Sequence, residues 1–342
     1  MMKSEANVSA SLDAVRGELS GEKLSASTMN LIVWIDDPER RNWVLERAEL
    51  LAEKHPSFTL ILDGTGAQSG ATVTASDRGE NARVTVRGER VLLDVDEIGP
   101  EEIAEYVTAL CPRNVPTELW WSSSTEAARP VFRALLPHID GLVVDSSGAL
   151  RDAQTLIALA RFHREQPTIA LRDLAWLRLR PWQDMIAHFF DDPALLDELY
   201  TIRTLTIASG SDAEALYLGG WLASRLGWLA RGRDAFLDCE AKDISFERRR
   251  EGEIRRVQSV TLTSDTSSYH GAVTDDPLCV RVWVEGEHAR DPRLFTLQAI
   301  DNASLLEIAI LQGETDELFA TALATAATLF GEEPPRPDLS HA

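Results

Sequence analysis

Hydrophobic positions follow two regimes along this chain. Up to about residue 171 they form short apolar runs that alternate with helical periodicity. Leu31–Asp37 (LIVWIDD) and Ser57–Leu62 (SFTLIL) have the length and continuity of buried strands. Between them, Trp43, Val44, Ala48, Leu50 and Leu51 recur at helical spacing and predict a helix to about Lys54 with these residues inward. Asp37 followed by Pro38 supplies its N-cap and first turn. Strand, helix and strand at this spacing make a βαβ unit, hence a parallel sheet. Helices are predicted from Pro100 to Leu110, Thr125 to Leu136 and Leu150 to Arg164, and strands from Val115 to Trp121 and Gly141 to Val144. Gly64–Gly79, rich in Gly, Ser and Thr, reads as a loose loop. Val84–Val86 and Val91–Leu93 read as hairpin arms around Arg87-Gly88-Glu89-Arg90.

Beyond the middle the pattern changes. Leu199–Ala208 predicts a strand and Ala213–Leu229 a long helix. Strand-length segments follow at Ile244–Glu247, Ile254–Thr263, Leu278–Glu285, Leu294–Ile300 and Leu305–Leu311. Val280, Val282 and Val284 alternate with Arg281, Trp283 and Glu285, the period of two of a half-buried strand. A helix from Thr315 to Leu329 closes the series. The fold class this predicts is α/β. A three-layer α/β sandwich with a mostly parallel sheet (30–171) precedes an α+β domain with a largely antiparallel sheet (172–331). A flexible segment (1–29) and a tail (332–342) flank them.

A length of 342 residues suits two such domains, and 44% hydrophobic residues supply two cores. With 34 Lys and Arg against 55 Asp and Glu, the formal charge is −21, which disfavours nucleic acid and anionic membrane as partners. Cys111, Cys239 and Cys279 are far apart in sequence and show no zinc-ligand spacing. A sparse, odd count fits a reducing cytoplasm. No apolar run reaches the length of a membrane span, and no apolar signal core opens the chain.

The candidate chemistry is thin. Gly64-Thr-Gly66-Ala-Gln-Ser-Gly70 has the wrong spacing for a dinucleotide fingerprint and no helix after it. No nucleophile-elbow serine and no metal spacing among the seven histidines occurs. Ser122, Ser123 and Ser124, and Asp145, Ser146 and Ser147, follow predicted strands. Ligands of open α/β sheets collect at such strand ends, so these residues are candidates for an anion such as a sugar phosphate. They are equally good helix N-caps.

The stretch Leu171–Pro193 (LRDLAWLRLRPWQDMIAHFFDDP) stands at the junction of the two regimes. Trp182, Met185, Ile186, Phe189 and Phe190 form an apolar helical face after Pro181. It reads as a packed hinge or as a surface built to be covered, with its Phe189 and Phe190 side expected between domains. Trp and Arg dominate protein–protein hot spots, which makes Arg172, Asp173, Trp176, Arg178, Arg180 and Trp182 candidate partner-contact residues.

Val115-Pro-Thr-Glu-Leu-Trp-Trp121, Gly141-Leu-Val-Val-Asp-Ser-Ser147, Arg172-Asp-Leu-Ala-Trp176, Pro181-Trp182 and Phe189-Phe190-Asp191 together resemble the glucose-6-phosphate dehydrogenase assembly protein family, OpcA. The resemblance implies a non-catalytic cytoplasmic protein, without a cofactor of its own. It would bind glucose-6-phosphate dehydrogenase and promote its active oligomer, supporting NADPH production by the oxidative pentose phosphate pathway. Arg180 stands before Pro181 where a small hydroxyl residue is expected.

Overall fold

The computed structural model describes residues 28–55, 57–67, 71–78, 86–123, 129–147, 154–252, 256–298 and 300–331. Residues 1–27 of the expected N-terminal segment, the tail and Ser124 lie outside the described residues, and Met29 already belongs to a strand. The chain divides into two compact units. Unit 1 comprises residues 1–145, 168–172 and 302–314, and unit 2 comprises 146–167, 173–301 and 315–342. The expected contiguous stretches, 30–171 and 172–331, thus exchange two helices. The one near residue 160 belongs to unit 2 and the one near 306 to unit 1.

Unit 1 is built on strands β1 (Met29–Ile35), β2 (Ser57–Asp63), β3 (Ala71–Arg78), β4 (Val86–Asp94), β5 (Thr117–Trp121), β6 (Gly141–Val144) and β7 (Ala170–Asp173, whose last residue falls in unit 2). Their order is β3-β4-β2-β1-β5-β6-β7. β1 pairs in parallel with both β2 and β5, β2 with β4, and β5 with β6, while β3 runs antiparallel to β4. β3 occupies part of the predicted loop Gly64–Gly79, and Val86–Asp94 is one continuous strand, not two hairpin arms. Its register pairs Phe58–Asp63 on one side and Ala71–Arg78 on the other. Two-sided pairing outweighs the turn signal of Gly88.

Helices α1 (Pro38–Lys54), α2 (Pro100–Leu110) and α3 (Arg129–Leu135) connect these strands. Asp37 caps α1, its side chain accepting from Glu39 N. The crossover β1–α1–β2 and the later crossovers through α2 and α3 move across the sheet in opposite directions, so right-handedness puts them on opposite faces. Trp120 and Trp121 follow the pleat. Trp120 meets Trp43 of α1, and Trp121 stacks on Trp34 at 5.4 Å and meets Phe132 of α3.

Unit 2 contains α4 (Gln154–Glu165), α5 (Leu174–Leu177), α6 (Arg180–Phe189), a 3-10 segment (Pro193–Thr201), β8 (Thr204–Ser209) and α7 (Asp212–Leu226). β9 (Leu229–Ala230), β10 (Ala235–Leu237), β11 (Asp243–Arg250), β12 (Val257–Thr263), β13 (Ser267–Val273), β14 (Cys279–Gly286) and β15 (Arg290–Thr296) follow. Helix α8 (Asn302–Leu311) lies in unit 1 and α9 (Glu317–Phe330) in unit 2. The sheet of unit 2 has the order β15-β14-β13-β12-β8-β11-β10-β9, antiparallel except for β8 with β11. Leu305–Leu311, read as a strand from its apolar run, is helical. A short apolar run carries no period that separates the two states.

Helix α7 is buried along Ala213–Gly220 and packs on α9. Gly220 permits this approach, because a Cβ there would stand 2.5 Å from the Ala322 carbonyl oxygen. Gly227, at φ +69°, ends α7 in the left-handed conformation that glycine adopts without strain.

Candidate functional site

The stretch singled out in the sequence is interior. Arg172, at the end of β7, is 2% exposed and donates from Nη1 to Glu118 Oε2 of β5 at 2.5 Å. Both side chains occupy space that a Cβ on residue 141 of β6 would fill, so glycine is required there. Burial pushes the Glu118 carboxyl above its ordinary range, against the opposing pull of the Arg172 charge and hydrogen bond.

Asp173 gathers three donors within unit 2. Its Oδ1 accepts from Ala175 N (2.9 Å) and Ser146 N (3.1 Å), and its Oδ2 accepts from Tyr217 Oη (2.8 Å). The Ala175 contact caps α5. Trp176 packs between Tyr217 and Phe319, with ring centroids 6.1 and 5.9 Å away. Arg178 donates from Nε to Glu214 Oε1 at 3.2 Å and from Nη2 to the Ser147 hydroxyl. Glu214, 1% exposed, also accepts from Arg256 Nη1 and Val257 N. Trp182 is buried. Phe189 and Phe190 pack on Tyr269 at 5.8 and 4.8 Å, inside unit 2.

Of the six candidate contact residues, only Arg180 has an exposed side chain. Arg172, Asp173, Trp176 and Arg178 are held by Glu118, Glu214, Tyr217 and Phe319, partners remote in sequence that residue type alone does not reveal, and Trp182 is buried.

Two of the anion candidates have internal work, while the buried Ser122 and Ser146 hydroxyls make no hydrogen bond among the described residues. Ser146 gives its N–H to Asp173, and the Ser147 hydroxyl takes the Arg178 guanidinium. Ser122 and Asp145 belong to unit 1, whereas Ser146 and Ser147 belong to unit 2. Beside Ser122, Ser123 Oγ donates to Asp36 Oδ2 at 2.5 Å, placing a carboxylate where an anion would need donors. Among the described residues no group of His, Cys, Asp and Glu could hold a metal ion.

The surface that residue type did not reveal is one face of the unit 2 sheet. Leu205, Ile207, Ile244, Phe246, Val260, Leu262, Tyr269 and Val280 point to the buried face. There Gly271 leaves room for Met185 of α6, and Gly219 of α7 lies against the Phe246 ring. The alternate residues named below are half-buried or exposed, except the buried Ala208. Register aligns them in rows. Glu247, Thr206, Thr261, His270 and Trp283 stand side by side across five strands. Arg249, Ala208, Ser259, Ala272, Arg281 and Leu294 form the next row. His270 stacks on Trp283 at 4.7 Å and shares a hydrogen bond with Thr261 Oγ1. Burial lowers its imidazole pKa, and Glu285 opposes that shift. Leu294 is 71% exposed. Within these two rows the charged residues are Glu247, Arg249 and Arg281, in a chain whose total is −21. The sequence signal was the recurrence of Ser and Thr at alternate positions of β8 and β12.

Residues 48–161 match the family described as glucose-6-phosphate dehydrogenase subunit N-terminal domain (OpcA_G6PD_assem). Residues 169–323 match its C-terminal counterpart (OpcA_G6PD_C). The chain belongs to the OpcA family. A Synechocystis sp. protein (strain ATCC 27184 / PCC 6803 / Kazusa) described as OxPP cycle protein OpcA is 31% identical over 188 residues, covering 53% of this chain and 39% of that one. An OpcA protein of Nostoc punctiforme (strain ATCC 29133 / PCC 73102) is 29% identical over 173 residues, covering 50% and 37%. This OpcA chain therefore spans well under half the length of these curated relatives. Among solved structures, an NAD binding oxidoreductase from Klebsiella pneumoniae superposes with a TM-score of 0.50 at 10% identity, covering 89% of this chain and 96% of that one. At that identity the likeness is one of fold. No helix among the described residues is long and apolar enough to cross a membrane.

Proposed function

We propose that this OpcA chain is a non-catalytic partner of glucose-6-phosphate dehydrogenase that favours the enzyme's active oligomer. The observation that carries the reading is the match of both halves to domains described as those of a glucose-6-phosphate dehydrogenase subunit. Such a protein acts by binding one state of the enzyme better than another, and the population shifts by that difference. A tenfold shift requires only about 1.4 kcal/mol of differential affinity.

The contact surface assigned to this role is the outward face of the unit 2 sheet around Thr261, His270, Trp283 and Leu294. Its near-neutral charge and its aromatic and aliphatic tips suit a protein partner. Elsewhere the strong negative charge would oppose an acidic one. Flat sheet faces bury area without needing a cleft.

The test is co-elution of the purified chain with its cognate dehydrogenase on size exclusion with light scattering. The expected result is a joint peak, lost in Trp283→Glu and Leu294→Glu variants that keep the wild-type melting temperature. A joint peak unaffected by either variant would overturn the assigned surface. No joint peak with the wild-type chain would overturn the partnership.

A further inference from the structure

The order β4-β2-β1-β5-β6-β7 is the 3-2-1-4-5-6 order of dinucleotide-binding folds, with β3 added at one edge. That fold implies a nicotinamide dinucleotide at the switch point between β1 and β5. The pyrophosphate would sit on the N-terminus of α1, and an acidic residue at the end of β2 would hold the ribose.

The residues present do not fit such a ligand. The turn from β1 into α1 reads Ile35-Asp36-Asp37-Pro38-Glu39, with no glycine. Backbone N–H groups at the helix start do the binding in a phosphate site, and here each is absent or engaged. Pro38 has no N–H. Glu39 N donates to Asp37 Oδ1 at 2.9 Å, and Arg40 N and Arg41 N donate to Asp37 O at 3.1 and 3.0 Å. Three carboxylates, Asp36, Asp37 and Glu39, stand where two phosphate charges would have to be placed. The Ser123–Asp36 hydrogen bond links the ends of β5 and β1 across the switch point. Asp63, at the end of β2, is only 2% exposed. It accepts from Arg41 Nε at 2.6 Å, and from Thr65 N and Oγ1 at 3.1 and 2.6 Å.

We infer that this chain has the dinucleotide fold without the dinucleotide site: it binds neither NAD(H) nor NADP(H). The turn from β1 into α1 serves instead as a self-capped joint that ties α1 to the sheet. The inference rests on unit 1 alone and holds whether or not the partner proposed above is correct.

The test is equilibrium titration of the full chain with NADPH and NADH, read by quenching of Trp fluorescence with energy transfer to the nicotinamide. Melting temperature is measured in parallel, up to about 1 mM ligand. The expected result is no saturable quenching beyond the optical inner-filter correction and no rise in melting temperature. A saturable signal with either nucleotide, accompanied by a higher melting temperature, would overturn the inference. No dehydrogenase is present in this experiment, so its outcome is separate from that of the co-elution.

Discussion

Arg172 Nη1 lies 2.5 Å from Glu118 Oε2, both side chains buried, in space left open by Gly141. A buried ion pair is costly to half-remove, because the survivor is a buried charge without a counter-ion. Glu118→Ala or Arg172→Ala alone should each cost about 3–5 kcal/mol. Glu118→Leu with Arg172→Met together should recover most of that loss. Denaturant unfolding of the two single variants and the double variant checks it. Additive losses would contradict the pair.

The same pair sets a pH dependence. The folded-state pKa of Glu118 is raised. Its contribution is therefore fully present below the unfolded glutamate value, about 4.3, and declines as pH rises through the folded value. Measured against Glu118→Gln, the wild-type chain should lose relative stability as pH climbs through that window.

His270 behaves in the opposite sense. Burial depresses its pKa, so its neutral form is the folded one. Above the unfolded value of about 6.5 both states are neutral and no proton-linked difference exists. As pH falls below it, the unfolded chain takes up a proton first, and stability declines towards the folded pKa. His270→Gln should flatten this acid limb of the stability profile. An unchanged limb would show that other groups produce it.

Thiol chemistry gives an independent check of burial. The Cys111 thiol is pushed up to about 12 by desolvation, and a hydrogen bond to Asp276 raises that of Cys279. Cys239 is exposed. Because the thiolate is the nucleophile, iodoacetamide at neutral pH should modify Cys239 first and Cys111 last. Peptide mass mapping over time reads the order, and fast labelling of Cys111 would contradict it.

Much of this molecule is legible in its residues, for local reasons. The run Leu31–Ile35, the Asp37-Pro38 cap and the Trp120-Trp121 pair carry strand and helix signals that tertiary packing did not override. The alternation in Val280–Glu285 correctly marks a sheet with one buried face. What misled were residues whose partners are distant in sequence. Arg172 and Arg178 look like exposed anchors until Glu118 and Glu214 are seen beside them. Leu305–Leu311 looks like a strand because a short apolar run has no period to read. Val86–Asp94 looks like a hairpin because Gly88 signals a turn, while pairing on both flanks holds it straight. The sheet face around Trp283 was hidden because its rows become contiguous only once five strands are in register.

The proposed role, favouring the active oligomer of glucose-6-phosphate dehydrogenase, has a direct readout. The most direct measurement is initial-rate NADPH formation by the cognate dehydrogenase, titrated with this chain, with oligomer mass followed by light scattering in the same samples. The expected result is a saturable rise in rate that tracks a shift towards the active oligomer and is lost with the Trp283→Glu variant. A rate and an oligomer mass that stay constant to saturating chain concentrations would contradict it.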